Sequence, residues 1–349
     1  MKSIRVNTST PYTVKIGSGL IENAGKEIAA LTKAKNVMIV SDDVVFPLYG
    51  EKLIASLVDA GFNCETFVYQ NGEEHKRLST VESLIEDMAV LHFTRSDIIV
   101  ALGGGVCGDM AGFAAAIYAR GIDYVQIPTT LLAAVDSSVG GKTAVDLTHG
   151  KNLCGAFHQP IAVLCDTDTL STLKEINIQD GLAEMLKYGI ICDRDLFDKV
   201  KDYKNNDIEE LIARCVEIKR DIVTGDEFDR GQRMLLNLGH TVGHAVEAAS
   251  NFKITHGHGV AIGTAIMSRA ARVRDMISRC DLDEIISALE KCGLPTKTDI
   301  DADTLFELTL SDKKSSGDFI NLIIPREIGE CEICRIEKSD VKEIIKAGL

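Results

Sequence analysis

Three groups of residues in this chain have the types and spacing of working chemistry. The first is the stretch IPTTLLAAVDSSVGGKTAVDLTHGKNLCGAFHQP, Ile127 to Pro160, which sets Lys142 behind Gly140-Gly141 and Lys151-Asn152 behind Gly150, with Asp136 close by. Glycines before a lysine clear side-chain bulk, so backbone N–H groups and an ammonium can converge on one anion. The second is Gly103, Gly105 and Gly108, a G-x-G-x-x-G between the apolar run Ile98 to Leu102 and the helix-like AGFAAAIYARG. That context suits a pyrophosphate at a helix N-terminus. The acidic ribose partner expected about 20 residues further on is not evident, and Asp42, ending NVMIVSD, is the candidate for that part from a neighbouring loop. The third is a histidine cluster: four of the eight histidines, His240, His244, His256 and His258, fall within residues 240 to 258. His240 and His244 stand at i and i+4, on one helical face, and Glu184 with Lys187 in GLAEMLKYG offers a carboxylate. A catalytic zinc ion takes about three N/O ligands and keeps one position open. Spacing alone leaves open which histidines bind it.

Positioning these groups requires two kinds of architecture. Up to about residue 170, β-branched runs (NVMIVSD, CETFVYQ, DIIVALGGG, YVQIPTT, AVLCDTD) alternate with helical stretches such as Pro47 to Ala60 and Ser79 to His92. Alternation of this length predicts a parallel sheet covered on both faces. Beyond Leu173 the pattern is helical, over Gly181 to Ile191, Ile208 to Thr224, Arg233 to Ala249, Gly259 to Met276 and Leu282 to Cys292. A late hairpin, INLIIPREIGECEIC, has Pro325 and Gly329 assigned to its turn. The expected fold is therefore α/β: a Rossmann-like dinucleotide-binding domain over residues 1–172, then a mainly helical metal-binding domain over 173–349, with the active site expected in the cleft between them.

Composition sets the limits. The 349 residues carry a net charge of −14, which argues against nucleic acid and anionic membranes as partners and requires any anion site to be a local basic pocket. No apolar run is long enough to span a bilayer, and MKSIRVNTST shows no signal segment. Ten scattered cysteines fit reduced thiols and a cytoplasmic location. Cys331 and Cys334 form a C-x-x-C, but on a strand residues three apart face opposite sides, so the pair reads as structural.

Several motifs in order carry a resemblance along nearly the whole chain: GEEHK, LGGGVCGDMAGFAAAIYARG, IPTTLLAAVDSSVGGKTAVD through GKNLCGAFHQP, GLAEMLKYGI, RMLLNLGHTVGHAVE, HGHGVAIG and SDKK. The chain resembles the 3-dehydroquinate synthases, within the sugar-phosphate cyclases.

The resemblance implies Glu184, His240 and His256 as ligands of zinc, or of cobalt, and an NAD site drawn from Asp42, Glu73, Lys76, Gly104, Gly105, Asp109, Thr129 and Thr130. Lys142 and Lys151 count with the cofactor contacts. Around the substrate it implies Asp136, Lys142, Asn152, Lys187, Lys219, Arg233, Asn237 and His244, with Lys314 favoured over Lys313. Arg120 is implied to reach the phosphate of a partner subunit, hence a homodimer. His258 stands where many relatives are acidic. The implied reaction takes 3-deoxy-D-arabino-heptulosonate 7-phosphate to 3-dehydroquinate and phosphate. Transient oxidation by NAD acidifies a C–H, phosphate leaves, the hydride returns, and ring opening precedes an intramolecular aldol. Another sugar-phosphate cyclase, or a metal-dependent polyol dehydrogenase, are the alternatives.

Overall fold

The computed structural model describes residues 1–312 and 317–349. It divides into two compact units, Met1–Leu173 with Val216–Phe228, and Lys174–Cys215 with Asp229–Leu349. The segment Val216–Phe228 departs from the single boundary expected at 172/173. Polar bonds explain why: Lys219 Nζ reaches Asp136 Oδ1 at 2.5 Å, and Glu227 accepts from the Ser9 amide and hydroxyl.

The first unit contains β1 (Lys2–Val6), β2 (Tyr12–Gly17), α1 (Leu20–Ala29), β3 (Asn36–Asp42), α2 (Phe46–Asp59), β4 (Asn63–Tyr69), α3 (Leu78–Val90), β5 (Ile98–Gly103), α4 (Gly105–Ile117), β6 (Asp123–Pro128), β7 (Lys142–Leu147), β8 (Gly150–Phe157) and β9 (Ala162–Asp166). Seven strands form one sheet in the order β1-β2-β9-β6-β5-β3-β4, parallel except for the β1–β2 pair. Alternation along β3 serves two cores. Met38 and Val40 pack with Val81 and Leu84 of α3 and Met110 of α4, while Val37 and Ile39 pack with Ile28 of α1 and Leu53 and Leu57 of α2. A strand buried on both faces has to be a continuous apolar run. The lysine-bearing stretch, whose strands the sequence reading did not anticipate, becomes the separate hairpin β7–β8.

The remaining elements are α5 (Glu175–Cys192), α6 (Arg194–Val200), α7 (Ile208–Gly225), α8 (His240–Ala249), α9 (His256–Val273), α10 (Arg279–Lys291), α11 (Ala302–Asp312), β10 (Phe319–Glu327), β11 (Glu330–Glu337) and α12 (Lys338–Gly348). Two expectations change here. The helix anticipated from Arg233 begins only at His240, because Gly239 takes a left-handed φ of 77° and leaves Gln232–Asn237 as a separate 3-10 turn. Pro325 lies inside β10, opposite Cys331 and beside a register shift, so the turn falls on Ile328 and Gly329. A bulge tolerates the missing proline N–H.

Glycines set the spacing of α5, α8 and α9. A Cβ on Gly263 of α9 would lie 2.0 Å from the Gly239 carbonyl oxygen, and one on Gly243 of α8 would lie 2.8 Å from Gly259. One on Gly257 would lie 2.3 Å from the Asp180 Cα of α5. Among the described residues no helix is long and apolar enough to cross a membrane.

Candidate active site

In the seven-stranded sheet the chain winds from β3 outward to β4, then returns past β3 to β5. Such a reversal opens a crevice at the carboxyl ends of the two strands, where open α/β sheets hold ligands. Asp42 ends β3 and Gly103 ends β5. Asp42 is buried, and its Oδ1 accepts the Val44 and Val45 amides, which fixes the turn. A Cβ on Gly104 would press on Thr130 at 3.1 Å and one on Gly105 on Ser137 at 3.0 Å, so the backbone is bare there by necessity. The first turn of α4 has no side-chain cap, leaving its amides to a ligand or solvent. Thr129 Oγ1 is buried with no hydrogen-bond partner among the described residues. An uncapped helix start beside an unsatisfied buried hydroxyl is a fit for a dinucleotide.

A second cluster forms where the loop before α3 meets β7–β8. Lys76 Nζ donates to Asp109 Oδ2 and to Asn152 Oδ1, both at 2.6 Å, and Lys151 Nζ lies 3.4 Å from Glu73 Oε1. Burial would lower the Lys76 pKa, but the Asp109 and Glu73 carboxylates outweigh it and hold it above its ordinary value. Burial pushes Asp109 up, opposed by the Lys76 ammonium. Asp136 and Lys219 pair separately, and Lys219 also acts on Asp109. Lys142 starts β7 on an exposed position. Arg120 is exposed in a left-handed run, with φ of 48° at Ala119 and 70° at Arg120. Lys313 and Lys314 lie outside the described residues.

In the second unit Glu184, His240 and His256 converge, with donor atoms all within 4.8 Å of one another. His240 Nε2 and His256 Nε2 each lie 3.4 Å from Glu184 Oε1. Two ligands of one tetrahedral ion, each about 2.1 Å from it, stand about 3.4 Å apart. The outer nitrogens are occupied: His240 Nδ1 pairs with the Leu238 carbonyl at 3.1 Å, and His256 Nδ1 with Glu247 Oε1 at 3.0 Å. Such bonds orient Nε2 toward a metal, so donor set, spacing and outer contacts all fit a zinc or cobalt ion. The His244 ring completes the triangle, 5.5 Å from His240 and 5.8 Å from His256. His258 is not part of it, because its Nε2 pairs with Gln179 Oε1 at 2.9 Å. Arg233, 2% exposed, and Asn237 share the 3-10 turn before α8.

In each unit, lysines singled out in the sequence come with carboxylates. Lys76 pairs with Asp109, Lys151 with Glu73, Lys187 with Glu184 and Lys219 with Asp136. The positive charge at each of these positions is therefore balanced locally. Sequence reasoning passed over Glu247, although it continues the helical face of His240 and His244 by three residues, and it passed over Asp146 in the β7–β8 hairpin.

The family model for the 3-dehydroquinate synthase N-terminal domain matches residues 66–180, and that for the C-terminal domain matches 181–315. The chain is 40% identical over 342 residues to the 3-dehydroquinate synthase of Clostridium acetobutylicum, covering 96% of each chain. Among solved structures it is similar to 2-deoxy-scyllo-inosose synthase complexed with carbaglucose-6-phosphate, NAD+ and Co2+, with a TM-score of 0.89 and 28% identity over 100% of both chains. It is also similar to 2-epi-5-epi-valiolone synthase from Streptomyces hygroscopicus with NAD+ and Zn2+, with a TM-score of 0.88 and 26% identity over 98% of both chains. With both halves of the family model matched and near-complete coverage of a relative at this identity, the chain belongs to the 3-dehydroquinate synthase family.

Proposed function

We propose that this protein is a lyase that converts 3-deoxy-D-arabino-heptulosonate 7-phosphate to 3-dehydroquinate and phosphate, a step toward aromatic compounds. The observation that supports it most is the pair of Nε2 atoms at equal distance from Glu184 Oε1, in a chain with a separate dinucleotide crevice. When bound, NAD supplies a hydride acceptor that is regenerated, and a zinc or cobalt ion supplies Lewis acidity.

The chain's own residues bind and orient. Arg233 with Asn237 is a bidentate clamp suited to the substrate carboxylate. Lys142 and Asn152, with Lys219 and Asp136, hold the remaining polar groups of the substrate. Lys187 pairs with Glu184, and His244 stands beside the ligand histidines to carry a proton. Asp42, Glu73, Lys76, Gly104, Gly105, Asp109, Thr129, Thr130 and Lys151 hold the dinucleotide. Fixing groups in place is where the rate gain arises.

Arg120, exposed at its left-handed turn, reaches the phosphate bound by a second copy, which makes the working form a homodimer. The cytoplasm is the compartment, in keeping with ten free cysteines.

The test follows phosphate release from this substrate with catalytic NAD and a divalent ion while recording NADH absorbance. Many turnovers per NAD, no lasting NADH and loss of activity in chelator are expected. NADH accumulating without phosphate would make the protein a polyol dehydrogenase. Activity only on another sugar phosphate would make it a different cyclase.

A further inference from the structure

Asp146 closes a ring of bonds between the loop that carries Lys76 and the strand β8 that carries Asn152. Its amide donates to the Lys76 carbonyl at 2.8 Å, and its Oδ1 accepts the Asn152 amide at 2.8 Å. The Asn152 side chain returns to Lys76, accepting from its Nζ at 2.6 Å. Asp146 is 6% exposed and sits where the β7–β8 register shifts between Val145 and Leu147. A bulge re-aims a side chain that a regular strand would send elsewhere. It also makes a β-bridge through Arg77, the residue after Lys76. Asn152 has a φ of 54°, in the left-handed region. A non-glycine residue stays there only where its surroundings hold it, and the Asp146 carboxylate grips the amide of that same residue.

We infer that Asp146 is a positioning residue that locks Asn152 in its left-handed conformation and thereby aims both Asn152 and Lys76, coupling the substrate-binding hairpin to the dinucleotide-binding loop. Asp146 touches neither ligand in this scheme. It acts through the two residues it holds, and the inference rests on the proposed NAD role of Lys76 and substrate role of Asn152.

The test is calorimetric titration of NAD into the full-length protein, with no substrate, backed by a melting curve for each variant. Asp146→Ala should weaken NAD binding about tenfold, the loss of one bond made to a charged group, and should raise the substrate KM more than it lowers kcat. Asp146→Asn keeps an oxygen acceptor and should stay within about threefold of the native protein. Asn152→Gly supplies the decisive background, because glycine holds a positive φ unaided. There, adding Asp146→Ala should cost NAD affinity little beyond Asn152→Gly alone. Full additivity of the two losses, or native NAD affinity in Asp146→Ala while Lys76→Ala is weakened, would overturn the inference. Native affinity in Lys76→Ala itself would instead overturn the dinucleotide role from which it starts.

Discussion

Lys187 Nζ pairs with Glu184 Oε2 inside the protein, one helical turn along α5, with side chains 1% and 0% exposed. The other oxygen, Oε1, faces the two histidine nitrogens. One carboxylate thus faces a fixed cation on one side and two histidine rings on the other. Removing one partner of a buried pair leaves an uncompensated charge and costs about 3–5 kcal/mol. Lys187→Met should therefore destabilise the metal-free protein by about that much. Adding zinc should then raise the melting temperature more in the variant than in the native protein. Equal increments in both would show that Lys187 does not balance Glu184.

The two histidines proposed as metal ligands differ in charge in the metal-free protein. Burial, helped by the nearby Lys187 charge, drops His240 to about 3 against the pull of Glu184, so it is neutral at pH 7. Burial would also lower His256, but hydrogen bonds to Glu184 and Glu247 outweigh it and raise it to about 10. Zinc uptake near pH 7.5 should displace one proton, from His256, and apparent affinity should rise with pH toward about 10. Calorimetry in buffers of different ionisation enthalpy reads that proton directly, and zero release would contradict the pairing. The sign for stability is the reverse. His256 is raised on folding, so its contribution to the metal-free protein is full below its ordinary value and is lost as pH climbs to about 10.

His240→Ala should lose bound metal and activity together. His258→Ala should keep most of both, since its ring is engaged with Gln179 and stands apart from the ligand group. Metal analysis of the purified variants decides this, and the opposite pattern would mean that the ligand set includes His258.

Arg233→Lys keeps the charge but forfeits the fork that matches a carboxylate. The KM should rise by about 10- to 100-fold, with a smaller change in kcat. An unchanged KM would remove Arg233 from carboxylate recognition.

Legibility in the sequence followed periodicity. The parallel strands read clearly because a strand buried on both faces, such as Asn36–Asp42, must be a near-continuous apolar run. The hairpin β7–β8 did not, because its glycines and polar residues signal a loop, and pairing between Lys142 and Phe157 is settled only in three dimensions. The start of α8 was misplaced for a local reason: the run from Arg233 is helical by composition, and a single left-handed glycine at 239 interrupts it. The histidine cluster was conspicuous, but spacing could not separate His258 from His256. That distinction depends on Gln179, almost eighty residues earlier, which captures one ring and leaves the other beside Glu184. The lysines were conspicuous in the sequence, whereas their carboxylate partners can lie at distances in the chain that no motif spans, as with Lys219 and Asp136.

The glycine contacts among α5, α8 and α9 have a consequence for which ion the protein accepts. His240 and His256 are near neighbours, with ring centroids 5.2 Å apart, because Gly239 and Gly243 let α8 lie directly on the backbone of α9. The separation of these two rings thus depends on bare backbone at Gly239, next to His240, and at Gly243, three residues on. An alanine at 243 or 263 would act as a wedge, shifting preference toward larger ions while every ligand stayed in the sequence. The spacing of these candidate donors is set by the helix packing, and is open to change without touching a single donor atom.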